Sequence, residues 1–365
     1  MARNLRAETS RPNAGWPAWV PWAAAAWSLG YGALGLVWAL GAPGFPFGPT
    51  NDPSAALSVF RGARADVGGP MIAALGLLGG VVAVAMTRSR GRGIVSSALV
   101  SFAWVAAGGL ILVVPDYRPL LGVAYAPIIL AGAPFDWPPD VSLPDVLPWP
   151  VLNQVLCMAG GVLWAGTAIA YRRRARGACR RCGRSDEPAP WTAPHSAARW
   201  GRWTTYLAVA VPLLYAATRY AWALGIPLGI TEGFLREGQA IGLWWAGAAL
   251  STLAVGGALL TLGLVRPWGE TFPRWIPILG GRRVPPRLAI IPAALVSVLV
   301  TSAGLMFIRF VLTGALAEVF EFGEDLGWIA LAPELLWPLW GAALAAATLA
   351  YHYRRRGRCE HCGRL

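Results

Sequence analysis

The sequence predicts an all-α integral membrane protein with eight transmembrane helices. These form two parallel four-helix repeats about a pseudo-twofold axis along the membrane normal, with both termini in the cytosol. Three features predict this fold: an apolar composition, regularly spaced apolar segments and an internal sequence repeat. Of 365 residues, 56% are hydrophobic and only 13% are charged, against about 25% charged in an ordinary soluble domain. This composition excludes a soluble enzyme, a disordered chain and a secreted disulfide-rich scaffold.

Eight apolar segments have about the 20 residues that a helix needs to cross a bilayer. They cover residues 19–41, 69–87, 93–114, 149–171, 204–226, 240–265, 288–313 and 327–351. A ninth segment, residues 120–133, is too short to span and contains Pro127, so we interpret it as interfacial or re-entrant. The surrounding outer loop, residues 116–148, is rich in Asp and Pro and is expected to be ordered but not helical.

The distribution of basic residues predicts the orientation. All 31 basic residues are Arg, and placing both termini in the cytosol puts 25 of them on the cytosolic side, as the positive-inside rule requires. They are spread over five segments, so their function is orientation in the lipid bilayer, and no nucleic-acid partner is expected. The Arg-only, Ala/Gly/Pro-rich usage is typical of a GC-rich bacterial genome, which points to a bacterial inner (cytoplasmic) membrane.

An internal repeat divides the chain. Residues 31–43 match residues 215–227 at seven of thirteen positions, and residues 168–184 match residues 348–364 at nine of seventeen. We therefore predict one four-helix repeat over residues 1–184 and a second over 185–365, each ending in C-x-x-C-G-R. Because each repeat has an even number of spans, both would start and end on the same side of the membrane, so the repeats are parallel.

Four cysteines form the strongest candidate site. Cys179, Cys182, Cys359 and Cys362 lie in the two C-x-x-C-G-R motifs, and each motif resembles a zinc knuckle. Two knuckles supply the four thiolates that structural zinc prefers, with no position left open for catalysis. Redox-active dithiols, unmetallated knuckles and a metal that bridges two chains remain alternatives, as does His361 in place of one Cys. The fifth cysteine, Cys157, is expected to be a small buried apolar residue.

Three charged residues, Arg219, Arg309 and Glu334, lie within predicted spans, at depths that would let them share one level. Ionisable residues inside a membrane suggest a functional site, and Asn153 and Gln154 occupy the matching region of the first repeat. We therefore predict a substrate-binding pocket formed by these five residues. In the alternative, Glu334 neutralises one Arg and the other extends outward to an acidic residue, namely Glu318, Glu321 or Glu237.

These features favour a transporter or channel-like protein for a small solute, for example an anion. The alternative is a membrane sensor or assembly scaffold that docks a cytosolic protein partner through the zinc site and the Arg-rich face. An intramembrane enzyme acting on a lipid-like substrate is a weaker alternative. No catalytic residue is assigned, because the chain lacks Lys, a P-loop, a G-x-S-x-G motif and an H-E-x-x-H motif, and a non-enzymatic role is favoured.

Overall fold

The computed structural model describes residues 16–89, 93–132, 134, 147–186, 189–320 and 325–364. This part of the chain is helical and contains no named strand, only the isolated bridges Ile230–Leu326 and Thr271–Arg283. In chain order, the helices are α1 (Trp16–Ala39), α2 (Ala65–Arg88), α3 (Ile94–Gly108), α4 (Arg118–Gly132), α5 (Trp149–Ala175), α6 (Pro194–Ala223), α7 (Glu232–Ala240), α8 (Leu243–Leu262), α9 (Pro286–Thr313), α10 (Leu316–Val319), α11 (Trp328–Leu335) and α12 (Trp337–Arg355). Short 3₁₀ turns lie at Ala55–Leu57, Pro190–Thr192 and Pro267–Gly269, and α3 continues as a π-helical turn over Gly109–Val113.

Seven helical segments in the described residues are long and apolar enough to cross a membrane, and this agrees with the predicted class of a polytopic membrane protein. They are α1, α2, α3 with its π-helical turn, α5, α8, α9, and α11 with α12 taken as one helix over Trp328–Arg355. Each covers most of an apolar segment predicted from the sequence. The helix bounds differ from the predicted bounds by a few residues at either end.

The predicted fifth span corresponds to α6, which is not among these seven segments. At 30 residues, α6 is long enough to span. However, Thr204, Tyr206 and Arg219 interrupt its apolar stretch and lower its hydropathy. The count of eight spans therefore stays a prediction.

The loop over residues 116–148 differs from the expectation that it is ordered but not helical, because α4 occupies Arg118–Gly132. At 15 residues, α4 is too short to cross about 30 Å of hydrocarbon, as expected for its apolar segment. Three acidic residues of this loop, at positions 136, 140 and 145, lie outside the described residues.

The same neighbour order occurs in both halves of the chain, residues 1–184 and 185–365. In the first half, α1 packs against α2 and α5, and α5 packs against α3. In the second half, α6 packs against α8 and α12, and α12 packs against α9. Contacts between the halves are made mainly by α9, which packs against the π-helical turn and against α4.

Glycines allow close approach of α1 and α2. A Cβ atom at Gly76 of α2 would lie 2.5 Å from the Cα of Gly32 and 2.5 Å from the carbonyl oxygen of Ser28, both on α1. Small residues have this function in membrane helix pairs, where close packing replaces the hydrophobic driving force. Large apolar side chains such as Leu77 and Val81 are instead exposed on α2, as expected for a helix that faces lipid.

Candidate functional site

The four cysteines of the two C-x-x-C-G-R motifs meet in one cluster, although 180 residues separate the motifs. The sulfur atoms of Cys179, Cys182, Cys359 and Cys362 all lie within 4.8 Å of one another. The sulfurs of Cys182 and Cys362 are 3.6 Å apart. The cluster follows the C-terminal ends of α5 and α12, and we call this end of the molecule the cysteine side.

The two motifs form the same turn. The backbone N–H of Cys179 donates to the carbonyl oxygen of Arg184 at 2.9 Å, and the N–H of Gly183 donates to the carbonyl of Cys179 at 2.8 Å. In the second motif, the corresponding hydrogen bonds of Cys359 and Gly363 have the same lengths. Gly183 and Gly363 adopt φ angles of 76° and 68°, a left-handed conformation that glycine adopts without a steric penalty. The glycine of C-x-x-C-G-R is thereby explained.

Backbone N–H groups within each turn point at the first sulfur of the motif. The N–H groups of Cys362 and His361 lower the pKa of Cys359 to about 6. Burial acts to raise the pKa of Cys179, but the N–H groups of Cys182 and Arg181 outweigh it, so that its pKa lies below the usual value. Burial and the neighbouring thiols raise the pKa of Cys182 to about 11. The first cysteine of each motif therefore favours the thiolate, the form that binds metals.

Arginines connect the two turns and surround the sulfurs with positive charge. Arg184 donates to the carbonyl oxygen of Arg364 at 3.0 Å, and Arg364 donates back to the carbonyl oxygen of Arg184 at 3.1 Å. Arg184 also reaches the carbonyl oxygen of Gly357 at 3.0 Å. Arg173 lies over the first turn and donates to the carbonyl oxygens of Arg180 and Arg181 at 3.2 Å. These cations offset the negative charge that thiolates would place here.

The cluster has the dimensions of a four-thiolate metal site. Tetrahedral zinc with Zn–S bonds of about 2.3 Å places its sulfurs roughly 3.8 Å apart, close to the 3.6 Å between Cys182 and Cys362. All four cysteines are free thiols rather than disulfides. Four cysteines placed in this way could bind a metal ion. His361 is exposed and does not belong to this group.

Cys157 lies apart from the cluster. Its side chain is 1% exposed within α5, and its thiol donates to the hydroxyl of Tyr31 at 3.4 Å. It packs in an apolar cluster with Tyr31, Trp38 and Phe45. These surroundings agree with the expectation of a small buried apolar residue.

Two of the predicted intramembrane charges form an ion pair. Arg219 of α6 donates to Glu334 of α11. The guanidinium also lies 4.6 Å from the ring centre of Tyr215 and 4.1 Å from that of Trp222. The second carboxylate oxygen of Glu334 is buried and has no hydrogen-bond partner among the described residues. This arrangement matches the alternative in which Glu334 neutralises one arginine.

The third charge, Arg309 of α9, lies at the contact between the two halves. It donates to the carbonyl oxygen of Leu57 in the first half and lies 4.9 Å from the ring centre of Phe310. Glu318, one of the acidic residues considered for it, instead pairs with Arg61 at 3.9 Å. Glu321 lies outside the described residues.

Asn153 and Gln154 belong to the first half and do not touch the Arg219–Glu334 pair. Asn153 accepts a hydrogen bond from the Tyr31 hydroxyl at 2.9 Å, while its own amide nitrogen is buried without a partner among the described residues. Gln154 donates to Asp116 at 2.8 Å and accepts from its backbone N–H at 3.1 Å. Of the five predicted substrate-binding residues, the structure thus pairs Arg219 with Glu334, while Arg309, Asn153 and Gln154 each have other hydrogen-bond partners. Their joint role in binding stays a prediction.

Gln154 leads to a buried polar network that the sequence reasoning did not identify. Arg118 binds Asp52 through two hydrogen bonds of 2.8 Å, and binds Asp116 through contacts of 2.6 to 3.1 Å. The side chains of Arg118, Asp52 and Asp116 are only 12%, 4% and 2% exposed. This network joins two loops at the end of the molecule opposite the cysteine side. The sequence offered one signal, namely that Asp116 lies between two apolar segments, 93–114 and 120–133.

No known protein family matches the chain, and no curated protein or solved structure shows significant similarity to it. Its function is therefore inferred from its own residues.

Proposed function

We propose that Cys179, Cys182, Cys359 and Cys362 bind one structural zinc ion, which joins the ends of the two halves of a polytopic membrane protein. The observation that carries this proposal is the convergence of four free sulfurs within 4.8 Å. Four thiolates complete a tetrahedral site, so the ion would have no open position for a substrate. Its role would be to hold the two membrane-embedded halves in register.

The proposed halves are two copies of one four-helix unit, fused in a single chain. Three observations support this duplication: the repeated sequence, the same neighbour order of helices in both halves, and the identical hydrogen bonds of the two turns. With α6 as an eighth span, each unit would begin and end on the same side of the membrane. The positive-inside rule would place the cysteine side in the cytosol of a bacterium.

At the level of the whole protein, we infer a membrane scaffold or sensor that presents this cytosolic surface to an acidic protein partner. Exposed arginines surround the turns, namely Arg172, Arg176, Arg180, Arg181 and Arg358. A rigid zinc site would hold these cations in a fixed pattern, and complementary charge favours a specific partner. We expect Cys359→Ser to disrupt association with the partner, while Cys157→Ser and variants of Arg219 leave it intact.

Metal analysis of the purified full-length chain tests the zinc proposal. We expect one zinc ion per chain, and Cys182→Ser or Cys362→Ser should lower this value at least fivefold. Cys157→Ser is the matched control and should retain the metal, because Cys157 lies outside the cluster. A strong chelator should make four further thiols reactive towards a maleimide. A chain that binds no metal in zinc-supplemented buffer would contradict the proposal, and so would metal binding unchanged by Cys182→Ser.

Solute passage is a second candidate, and one observation favours it. Glu334 and Asn153, two residues predicted to bind a substrate, each keep a buried polar atom without a partner among the described residues. Such atoms are rare unless water, an ion or a ligand satisfies them. From the sequence, Arg219 was expected to help attract an anionic solute. Glu334 already neutralises Arg219, so this attraction is weaker than expected.

Flux through liposomes tests this second candidate. The double variant Arg219→Gln/Glu334→Gln removes both charges together, so neither is left buried without its counter-charge. If these residues serve passage, flux of a permeant solute should fall at least tenfold while the melting temperature stays within a few degrees. Flux equal to that of the unmodified protein would eliminate this candidate.

A further inference from the structure

An apolar cavity of about 630 Å³ lies among α1, α2, α3 and α5 of the first half, within the range of roughly 300–1,000 Å³ typical of small-molecule sites. Its wall includes Trp27 and Tyr31 of α1, which stack with their ring centres 5.1 Å apart. Trp164 of α5 lines the deep end of the cavity. None of the five predicted substrate-binding residues lines this cavity, and neither do the four clustered cysteines.

The cavity opens on the side of the protein that faces lipid. Met71 and Leu75 of α2 and Val105 of α3 line it, and these side chains are 59%, 60% and 75% exposed. They border an opening between α2 and α3, because α2 packs mainly against α1 while α3 packs against α5. An apolar opening at this depth meets the acyl chains of the bilayer and little water.

The cavity extends along α2 for more than the depth of one leaflet. Lining residues run from Arg64 to Gly79, which is about 22 Å of helix at 1.5 Å per residue. One leaflet contributes about half of the roughly 30 Å hydrocarbon core. The cavity therefore reaches from the membrane surface to beyond the depth of one acyl chain.

The two ends of the cavity differ in polarity. Arg64 lies at the end nearest the surface and is 78% exposed, where it pairs with Asp66, itself 58% exposed. Exposed pairs of this kind are weak, so Arg64 can also bind the phosphate of a lipid headgroup. The deep end is closed by Trp164, Gly79 and Ser28. A cationic entrance above a deep apolar pocket complements a phospholipid.

The wall of the cavity on α3 contains the π-helical turn Gly109–Val113. Such turns are rare and occur frequently at functional sites. Gly109 lines the cavity, and a Cβ atom placed there would meet no atom within 4 Å. The absence of a side chain at Gly109 therefore keeps space open in the cavity.

We propose that this cavity binds one acyl chain of a membrane phospholipid, which enters sideways between α2 and α3 with its headgroup near Arg64. The site is distinct from the cysteine cluster and does not depend on the zinc proposal. It makes the first half of the chain a lipid-binding unit.

Photo-crosslinking in lipid nanodiscs tests this proposal. The full chain is reconstituted with phosphatidylglycerol that carries a diazirine on one acyl chain, irradiated, and digested for mass spectrometry. We expect adducts on Met71 and Val105 to exceed those on Leu77 at least fivefold. Leu77 is 62% exposed on α2 but lies outside the cavity, so it reports on lipid that merely surrounds the protein.

Two neighbouring glycines supply a matched pair of variants. Gly109→Leu fills the cavity and should lower the labelling of Met71 at least fivefold. Gly108→Leu places the same side chain one residue earlier, where a Cβ atom also meets nothing within 4 Å but where the residue does not line the cavity. It should leave the labelling unchanged. Val105→Trp, read out at Met71, is the second filling variant should Gly109→Leu fail to fold.

Labelling of Met71 no greater than that of Leu77 would overturn the proposal, because the acyl chain would then have no preferred site. Equal labelling in properly folded Gly109→Leu and Gly108→Leu would overturn it as well. Cys182→Ser should leave the labelling unchanged, so failure of the zinc proposal and failure of this one are distinguishable.

Discussion

Arg118 is the residue whose removal is expected to damage the structure most at the end opposite the cysteine side. Its guanidinium is the counter-charge for Asp52 and Asp116, and it donates to both. In Arg118→Met, the two carboxylates remain buried and close together without the one cation that donates to both. Gln154 still donates to Asp116 at 2.8 Å, but a neutral amide does not balance two negative charges.

The cost follows from the burial of these groups. Removing one partner of a buried ion pair destabilises a protein by about 3–5 kcal/mol. Protonation of one carboxyl group limits this cost. At pH 7, protonating an aspartate with a reference pKa of about 3.9 costs about 4 kcal/mol, and the cost falls by about 1.4 kcal/mol for each pH unit of acidification. We therefore expect a loss of about 4 kcal/mol at pH 7 and a smaller loss at pH 5.

The stability of Arg118→Met relative to the unmodified protein should change with pH in the opposite direction to the stability that a paired carboxylate contributes. Folded Arg118→Met would take up a proton that the unfolded chain binds only at lower pH, so its stability relative to the unmodified protein rises as pH falls. Adding Asp52→Asn to Arg118→Met removes one of the two charges and should recover at least half of the loss.

Unfolding in detergent, followed by tryptophan fluorescence at pH 7 and pH 5, measures these differences. Arg64→Met is the control, since Arg64 and its partner Asp66 are 78% and 58% exposed, and an exposed pair contributes at most about 1 kcal/mol. Equal losses for Arg118→Met and Arg64→Met would refute the reasoning. A loss for Arg118→Met that grows on acidification would refute it too.

Two further predictions concern the membrane helices. Gly76→Ala should destabilise the protein by about 1–3 kcal/mol through overpacking, because the new Cβ atom would lie 2.5 Å from the backbone of α1. A thermal melt measures this loss. Gly30→Ala is the control and should show no such loss, because a Cβ atom there meets nothing within 4 Å. Glu334→Gln should lower the free energy of unfolding by about 3–5 kcal/mol, because it leaves Arg219 without its counter-charge. Adding Arg219→Gln in the same chain should restore most of that stability. If the double variant is no more stable than Glu334→Gln, loss of the ion pair is not the cause of the destabilisation.

The cysteine cluster could be predicted from the sequence because its information is local. Each C-x-x-C-G-R motif specifies its own turn, including the left-handed glycine, and the repeat implies that two such turns have equivalent positions. The apolar segments were predictable for a similar reason, since a spanning helix satisfies its own backbone hydrogen bonds. The predicted fifth span, α6, is not among the seven confirmed segments, because Tyr, Thr and Arg lower its hydropathy.

The polar network could not be predicted, because it depends on how two loops meet. Asp52 and Arg118 are 66 residues apart, and nothing in either loop specifies the other as its partner. The same holds for Arg309, whose guanidinium donates to the backbone carbonyl oxygen of Leu57. A hydrogen bond to a backbone carbonyl oxygen does not depend on the residue type of the acceptor, so neither composition nor residue spacing predicts it. The apolar cavity is equally hidden, since the helices that form it are apolar on nearly all sides.

The contacts between the two halves combine packing with polar groups, as helix association inside a bilayer requires. Inside lipid, helices gain no hydrophobic free energy by associating, so packing and polar contacts must hold them together. On one side, Arg309 donates to Leu57 next to an apolar cluster that contains Met306 and Phe310. On the other side, the cysteine turns exchange hydrogen bonds through Arg184 and Arg364. If zinc binds the four cysteines as proposed, its binding would contribute about 10–16 kcal/mol, as it does in small zinc-binding domains. A chelator should therefore separate the two halves first at the cysteine side, while the contact at Arg309 holds them together at the opposite end.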